Sequence, residues 1–205
     1  GKVLDKSGRG NHATQSTSSK RPILQQNEAT GAYYLVFDGV DDFLVIANID
    51  FSATEQLSLF SALRKLSDSG GMIAELTLNG YVTTGGFYLV AGNEPGVVQG
   101  YSASASNSNR PMIQNTPAPD NAVLSLLFNK ASSVSAIRRN SVAGTDGSAS
   151  SGKFANSSLY IGMRAGASYP FNGHIYSMII VGKLASNTEI TNTEGALAKN
   201  LGVTL

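Results

Sequence analysis

The stretch Tyr34-Leu-Val-Phe-Asp-Gly-Val-Asp-Asp-Phe-Leu-Val-Ile46 sets two apolar runs on either side of a turn made of Asp38, Gly39, Asp41 and Asp42. Leu35 and Phe37 stand two apart before the turn, and Leu44 and Ile46 two apart after it. Successive side chains of an extended chain point to opposite sides, so each pair shares one face of its strand, as a sheet with a buried face requires. Gly39 can take positive φ without a Cβ penalty, and short carboxylates cap nearby backbone amides in Asx-type turns. The stretch reads as a β-hairpin on which everything else must pack.

The same period recurs outward from it. Leu57, Leu59 and Leu63 alternate with Ser58, Phe60, Ala62 and Arg64. Further strands are expected over Met72 to Leu78, Gly86 to Ala91, Val97 to Tyr101, Ala122 to Phe128, Ser133 to Arg138 and Leu159 to Ile161, with turn chemistry between them. The small polar run 102–109 lacks the apolar residues that offset ordering entropy and is expected to be a mobile loop. His174 to Val181 is apolar on both faces, with Ile175, Ser177, Ile179 and Val181 on one and Tyr176, Met178 and Ile180 on the other. It is expected in the middle of a sheet, covered on both sides. Ser186-Asn-Thr-Glu189 fits a capping box, Ile190, Leu197 and Leu201 follow at helical spacing, and Gly202 suits the C-terminal cap. One amphipathic helix is predicted over Asn187 to Leu201.

About ten or more strands with a single late helix point to an all-β fold, a two-sheet antiparallel sandwich or jelly roll with one short C-terminal α-helix. The length of 205 residues suits a single domain, 1–205. A start at Gly1 rather than Met suggests a segment of a longer polypeptide or a tag scar. Charged residues make up only 14% and Gly numbers 22, as tight turns and short strands require. A net charge of +1 with scattered basic doublets gives no stripe for nucleic acid. No apolar run approaches the roughly 20 residues that span a bilayer. The absence of cysteine excludes disulfides and thiolate metal sites.

Enzyme signatures are weak. A retaining glycosidase needs two carboxylates about 5 Å apart, and no acidic pair stands two or four apart on a strand. Glu75 has Ile73 and Thr77 as its expected same-face neighbours, while Asp41 and Asp42 are adjacent and diverge. Two histidines, His12 and His174, cannot build a three-histidine zinc site. His174 is expected to be a packed or hydrogen-bonded sheet residue. Gly166-Ala-Ser168-Tyr-Pro170 lacks the second glycine of a nucleophile elbow.

Two sets of residues can bind. Asp38, Asp41 and Asp42 offer oxygen ligands suited to calcium, though they also suffice to cap the turn. For a sugar, whose C–H faces are apolar and rims polar, the usual device is an aromatic platform beside amides and hydroxyls. With no Trp, the candidates are Tyr81, Tyr88 and Tyr101 with Asn79, Asn93 and Arg110. Each tyrosine also fits an ordinary role in strand pairing.

Leu4-Asp-Lys-Ser-Gly-Arg-Gly-Asn-His12, Phe37-Asp-Gly-Val-Asp-Asp-Phe-Leu44, Leu159-Tyr-Ile-Gly-Met-Arg164 and Pro170-Phe-Asn-Gly-His-Ile-Tyr176 together resemble the concanavalin A-like, laminin G-type jelly-roll domains in order and spacing. The closing segment, Leu184 to Ile190 with a short helix and Gly202-Val-Thr-Leu205, looks like variants in bacteriophage tail and other virion proteins. The resemblance implies two antiparallel sheets with a concave face and a glycan- or protein-binding module, often calcium-dependent; the paired acids of the catalytic glucanase branch are missing, so no enzyme is expected. It departs from many relatives where Tyr176 and Ser177 follow Gly173-His-Ile175, in place of an acidic pair, and where Asn140-Ser141 replaces an Asn-Gly turn. The expectation is a lectin-like module of a virion tail fibre, spike or head fibre that contacts cell-surface polysaccharide, in several copies and beside other virion subunits. The alternatives are a decoration or assembly domain, or an accessory domain of a secreted polysaccharide hydrolase.

Overall fold

The computed structural model describes residues 1–77, 84–92, 94–103 and 109–205. In chain order the strands begin with β1 (Lys2–Val3), β2 (Ala13–Thr14), β3 (Ile23–Gln26), β4 (Tyr33–Asp38), β5 (Leu44–Asp50) and β6 (Gln56–Lys65). Then come β7 (Gly71–Thr77), β8 (Phe87–Ala91), β9 (Val98–Ser102), β10 (Met112–Ile113) and β11 (Asp120–Asn129). The last are β12 (Val134–Arg139), β13 (Val142–Ala143), β14 (Gly147–Ser148), β15 (Asn156–Ile161) and β16 (Asn172–Val181), followed by α1 (Asn187–Leu201). They form two antiparallel sheets. The first runs β1-β2-β5-β15-β7-β8-β9-β10, the second β13-β12-β11-β6-β16-β4-β3, with β14 beside β12.

The leucines read as one face of the β6 strand do lie between the sheets. Leu57, Leu59 and Leu63 join Leu124, Leu126 and Phe128 of β11 and Ile73, Leu76, Phe87 and Leu89 of the first sheet in one buried core. Burying each such side chain stabilises the fold by about 1.5–3 kcal/mol before ordering entropy is counted. The layers meet closely at Gly100, where a Cβ would stand 2.4 Å from Leu126 Cδ1. The opposite face of β6 and β11 carries Phe60, Ala62, Val123 and Leu127, and α1 covers them with Ile190, Leu197, Ala198 and Leu201. Both expected caps of α1 are present: Ser186 Oγ accepts from the Glu189 amide while Glu189 accepts from the Ser186 amide, and Gly202 closes the end at φ 70°.

Two local readings are corrected. The stretch 34–46 is not a hairpin, because β4 pairs with β3 and β16 in the second sheet while β5 pairs with β2 and β15 in the first. It is an arch that carries the chain from one layer to the other. Phe37 and Leu44 enter the same core from opposite walls, so the period of two survives although the strands never pair. The turn closes on itself: Asp38 Oδ1 accepts from the Val40 amide at 2.8 Å, and Asp42 Oδ2 from the Asp38 amide at 3.1 Å. Gly39, at φ 76°, lies so close to Asn172 that a Cβ would come within 2.7 Å of it.

The second correction concerns β16, which is central in its sheet as expected, between β6 and β4. Its register against β6 shifts between Ile175 and Ser177. A bulge of this kind inserts one residue and exchanges the faces beyond it. Ile175, Met178 and Ile180 therefore pack on the inner core, while Ile179 is 41% exposed.

Candidate functional site

The first sheet has an outer face that α1 does not cover. On β8 the inward Phe87, Leu89 and Ala91 alternate with Tyr88 and Val90, which cluster outside with Met72 of β7 and Tyr101 of β9. Pairing places Tyr88 directly opposite Tyr101 on one side and Glu75 on the other. Cross-strand neighbours on one face touch, and the two phenol rings stack with centroids 5.1 Å apart. The Arg110 guanidinium lies 5.0 Å from the Tyr101 ring and 5.9 Å from the Tyr88 ring. Arg164 lies 5.3 Å from Tyr88 and 4.8 Å from Tyr169. Met72, Tyr88, Val90, Arg110, Arg164 and Tyr169 line a hollow of about 260 Å³.

A tight turn between β15 and β16 delivers Arg164 and Tyr169. The Arg164 amide donates to the Ser168 carbonyl at 2.8 Å, and the Ala167 amide to the Arg164 carbonyl at 2.9 Å. The turn is tied to β7 by the Met72 amide, which donates to the Tyr169 carbonyl at 2.8 Å.

Behind the hollow Glu75 is wholly buried. Its Oε1 accepts from Arg164 Nε at 3.0 Å, while Oε2 meets no donor among the described residues. Burial disfavours the charged form and pushes the Glu75 carboxyl up to about 6, against the pull of Arg164. Burial likewise raises the Tyr88 phenol, with both arginines pulling it down. Stacked phenols and two cations can hold the face of a ring-shaped polar ligand and meet charge on its rim.

Of the residues expected from sequence, Tyr88, Tyr101 and Arg110 converge here. Asn79, Tyr81 and Asn93 lie outside the described residues. Glu75, Arg164, Tyr169 and Met72 were not foreseen. The expected face-sharing of Glu75 with Ile73 fails, because the register of β7 against β8 shifts between Met72 and Ala74. Ile73 thereby joins the inner core and Met72 the outer cluster. Arg164 gave one faint signal, its place in the glycine-bounded run Gly162-Met-Arg-Ala-Gly166.

Two other clusters have defined geometry. Asp38, Asp41 and Asp42 each offer one carboxylate oxygen, all within 4.8 Å of one another. That span and donor type fit a calcium ion, whose oxygens lie at about 2.3–2.6 Å; the same residues also close the arch without one. Burial raises the Asp42 carboxyl, its bond from the Asp38 amide opposing, and the Asp38 and Asp41 charges adding to the rise. On the outer face of the second sheet Tyr34 stacks on His174 at 4.6 Å and on Tyr176 at 4.8 Å. His174 is the packed sheet residue its position suggested, its pKa lowered by burial and by Arg64.

No protein-family model and no curated protein matches the sequence. The fold does have counterparts among solved structures. A heptameric SAP-like pentraxin from Limulus polyphemus superposes with a TM-score of 0.63 at 10% identity, over 80% of this chain and 82% of that one. A sialidase CBM40 from Ruminococcus gnavus bound to α2,3-sialyllactose gives 0.53 at 17% identity, over 69% of this chain and 83% of that one. The binding domain of botulinum neurotoxin serotype D gives 0.65 at 13% identity over 94% of this chain, which spans about half of it, 48%. The fold is the concanavalin A-like jelly roll that the sequence resemblance implied, a sandwich of two antiparallel sheets closed by one helix.

Proposed function

We propose that the chain is a non-catalytic, lectin-like module that binds a cell-surface glycan on the outer face of its first sheet. One observation carries this: the Tyr88–Tyr101 stack flanked by Arg110 and Arg164 around a hollow whose accessible lining is mostly polar. Pyranose rings stack on such platforms through their C–H faces while their hydroxyls meet the polar rim. The named ligand of the CBM40 counterpart, sialyllactose, supports a saccharide for a sandwich of this shape. None of the described lining residues of the hollow is a carboxylate, so these residues offer no acid pair for glycoside cleavage.

The sequence resemblance to phage tail and virion domains supports a place on a virion fibre or spike. Shallow single-site binding there gains strength from several copies on one particle. The test is a glycan array probed with the wild-type chain and with Tyr101→Ala, which removes the half-buried ring without opening the core. Wild-type binding that the variant loses supports the reading; binding that both share contradicts it.

A second reading, contact with neighbouring virion subunits, is favoured by the free edge of β3. There Ile23 is 62% and Leu24 64% exposed, with Tyr33 alongside at 60%. Unprotected edges of this kind pair with other chains. Sedimentation of the wild-type chain against Leu24→Lys checks it: self-association reduced by the lysine supports the second reading, and a monomer at all concentrations opposes it.

A further inference from the structure

We propose that the hollow selects a carboxylate-bearing sugar over a neutral one, the sugar's carboxylate meeting the terminal nitrogens of Arg164 while Glu75 acts behind it as a positioning residue. This rests on the glycan-binding reading above and adds the charge class of the ligand.

The first argument is the geometry of the ion pair. A guanidinium offers five N–H donors in one plane, and a carboxylate that engages it fully does so through two parallel bonds. Glu75 does not engage it so. Oε1 takes the bond from Nε and the Ala165 amide adds a weaker pull on the carboxyl, while the buried Oε2 meets no donor within hydrogen-bond distance among the described residues. An unpartnered buried oxygen is costly, and a pair built only for stability would be expected to turn both oxygens onto the fork. The arrangement instead fixes the Nε side and leaves Nη1 and Nη2 without a hydrogen-bond acceptor among the described residues. Arg164 at the same time lines the hollow. The Tyr88 and Tyr169 rings lie against its guanidinium, so it is held for a partner that approaches in its plane.

The second argument is charge. Arg110 and Arg164 both border the hollow, and none of its described lining residues is an acid. The groups that face Glu75 are Arg164 from the turn after β15, Tyr160 of β15 and Tyr88 of β8. Among the described residues Glu75 is the anion set against Arg164. A neutral sugar would cover the open edge of the Arg164 guanidinium without meeting its charge, whereas an anion offsets the desolvation of the cation it meets.

The third is a pH signature that bracing alone does not give. The Glu75 carboxyl titrates near 6; as it takes up a proton, Arg164 loses its neutralising partner and attracts an anion more strongly. Affinity for an acidic sugar then rises as pH falls from about 7.5 to about 5, a range in which sugar carboxylates stay ionised.

The test uses the whole chain on an array carrying 3′-sialyllactose and trigalacturonate, each beside its carboxyl methyl ester, with neutral oligosaccharides as a third class. The proteins are wild type, Arg164→Met, Arg164→Lys, Glu75→Gln and Tyr101→Ala, each checked for folding by circular dichroism. The expected result is that the acid forms bind roughly tenfold or more tightly than their esters. Arg164→Met abolishes that preference, Arg164→Lys keeps part of it, and Glu75→Gln removes the rise toward low pH. If the arginine variants do not fold, the acid-to-ester ratio of the wild type decides. Equal binding of acid and ester, both lost in Tyr101→Ala, overturns the carboxylate proposal and leaves the glycan site standing. Binding to no glycan, or binding unchanged by Tyr101→Ala, overturns the glycan site and the proposal with it.

Discussion

Arg164 Nε donates to Glu75 Oε1 at 3.0 Å, linking the turn after β15 to a carboxylate that β7 buries completely. The folded-state carboxyl titrates near 6 rather than at its ordinary 4.5, so the folded chain holds this proton more tightly than the unfolded one. Its stabilising contribution is therefore full below pH 4.5 and is lost as pH rises through 6. Urea unfolding of wild type and Glu75→Gln across this window should show a stability difference that changes by up to about 2 kcal/mol, the wild type losing ground as pH rises. A difference that stays constant with pH would contradict the burial of an ionisable Glu75.

A second buried acid behaves differently. Glu194 of α1 is fully buried and accepts from Arg138 Nε at 2.9 Å, Ser125 Oγ at 2.8 Å and Ser141 Oγ at 2.8 Å. Here both oxygens are engaged, and the helix is fastened to the second sheet. Arg138→Met should cost about 3–5 kcal/mol by leaving that carboxylate buried without its counter-charge. Denaturant midpoints measure the loss, and a cost below about 1 kcal/mol would show that the helix is held by its apolar stripe alone.

The bulge in β16 can be read out by truncation. Ile175→Ala, at a buried core position, should cost about 2–5 kcal/mol, while Ile179→Ala, on the exposed face, should stay within about 0.5 kcal/mol. Equal costs from the two would restore the unbroken alternation.

Chelation separates the two binding sets. A glycan held by the Tyr88–Tyr101 hollow meets no carboxylate among its described lining residues, so EDTA should leave its affinity unchanged in a titration. A loss reversed by calcium would move the contact toward Asp38, Asp41 and Asp42.

What the sequence made legible follows from what a period of two encodes. Alternation at Leu57, Leu59 and Leu63 assigns an inner face, and the capping box with its apolar stripe assigns the helix, because both depend on residues near one another in the chain. Alternation does not say which strand lies alongside. Phe37 and Leu44 point into one core whether 34–46 is a hairpin or an arch, and only the pairing of β4 and β5 with different sheets decides. Register shifts were equally silent: those in β7 and β16 each exchange the faces of the residues on one side of the shift, with no glycine or proline at the shift to mark them. For the site, Tyr88, Tyr101 and Arg110 were visible as aromatics and a cation clustered in sequence. Arg164 and Glu75 meet across 89 positions of chain, a separation no local pattern spans.

The most direct measurement is a crystal structure of the chain with an array-selected oligosaccharide bound. The expected result is a sugar ring over Tyr101 on the outer face of the first sheet, its rim toward Arg110 and Arg164. A sugar seated on the Tyr34–His174–Tyr176 stack of the other sheet, or at the Asp38–Asp42 arch, would contradict it.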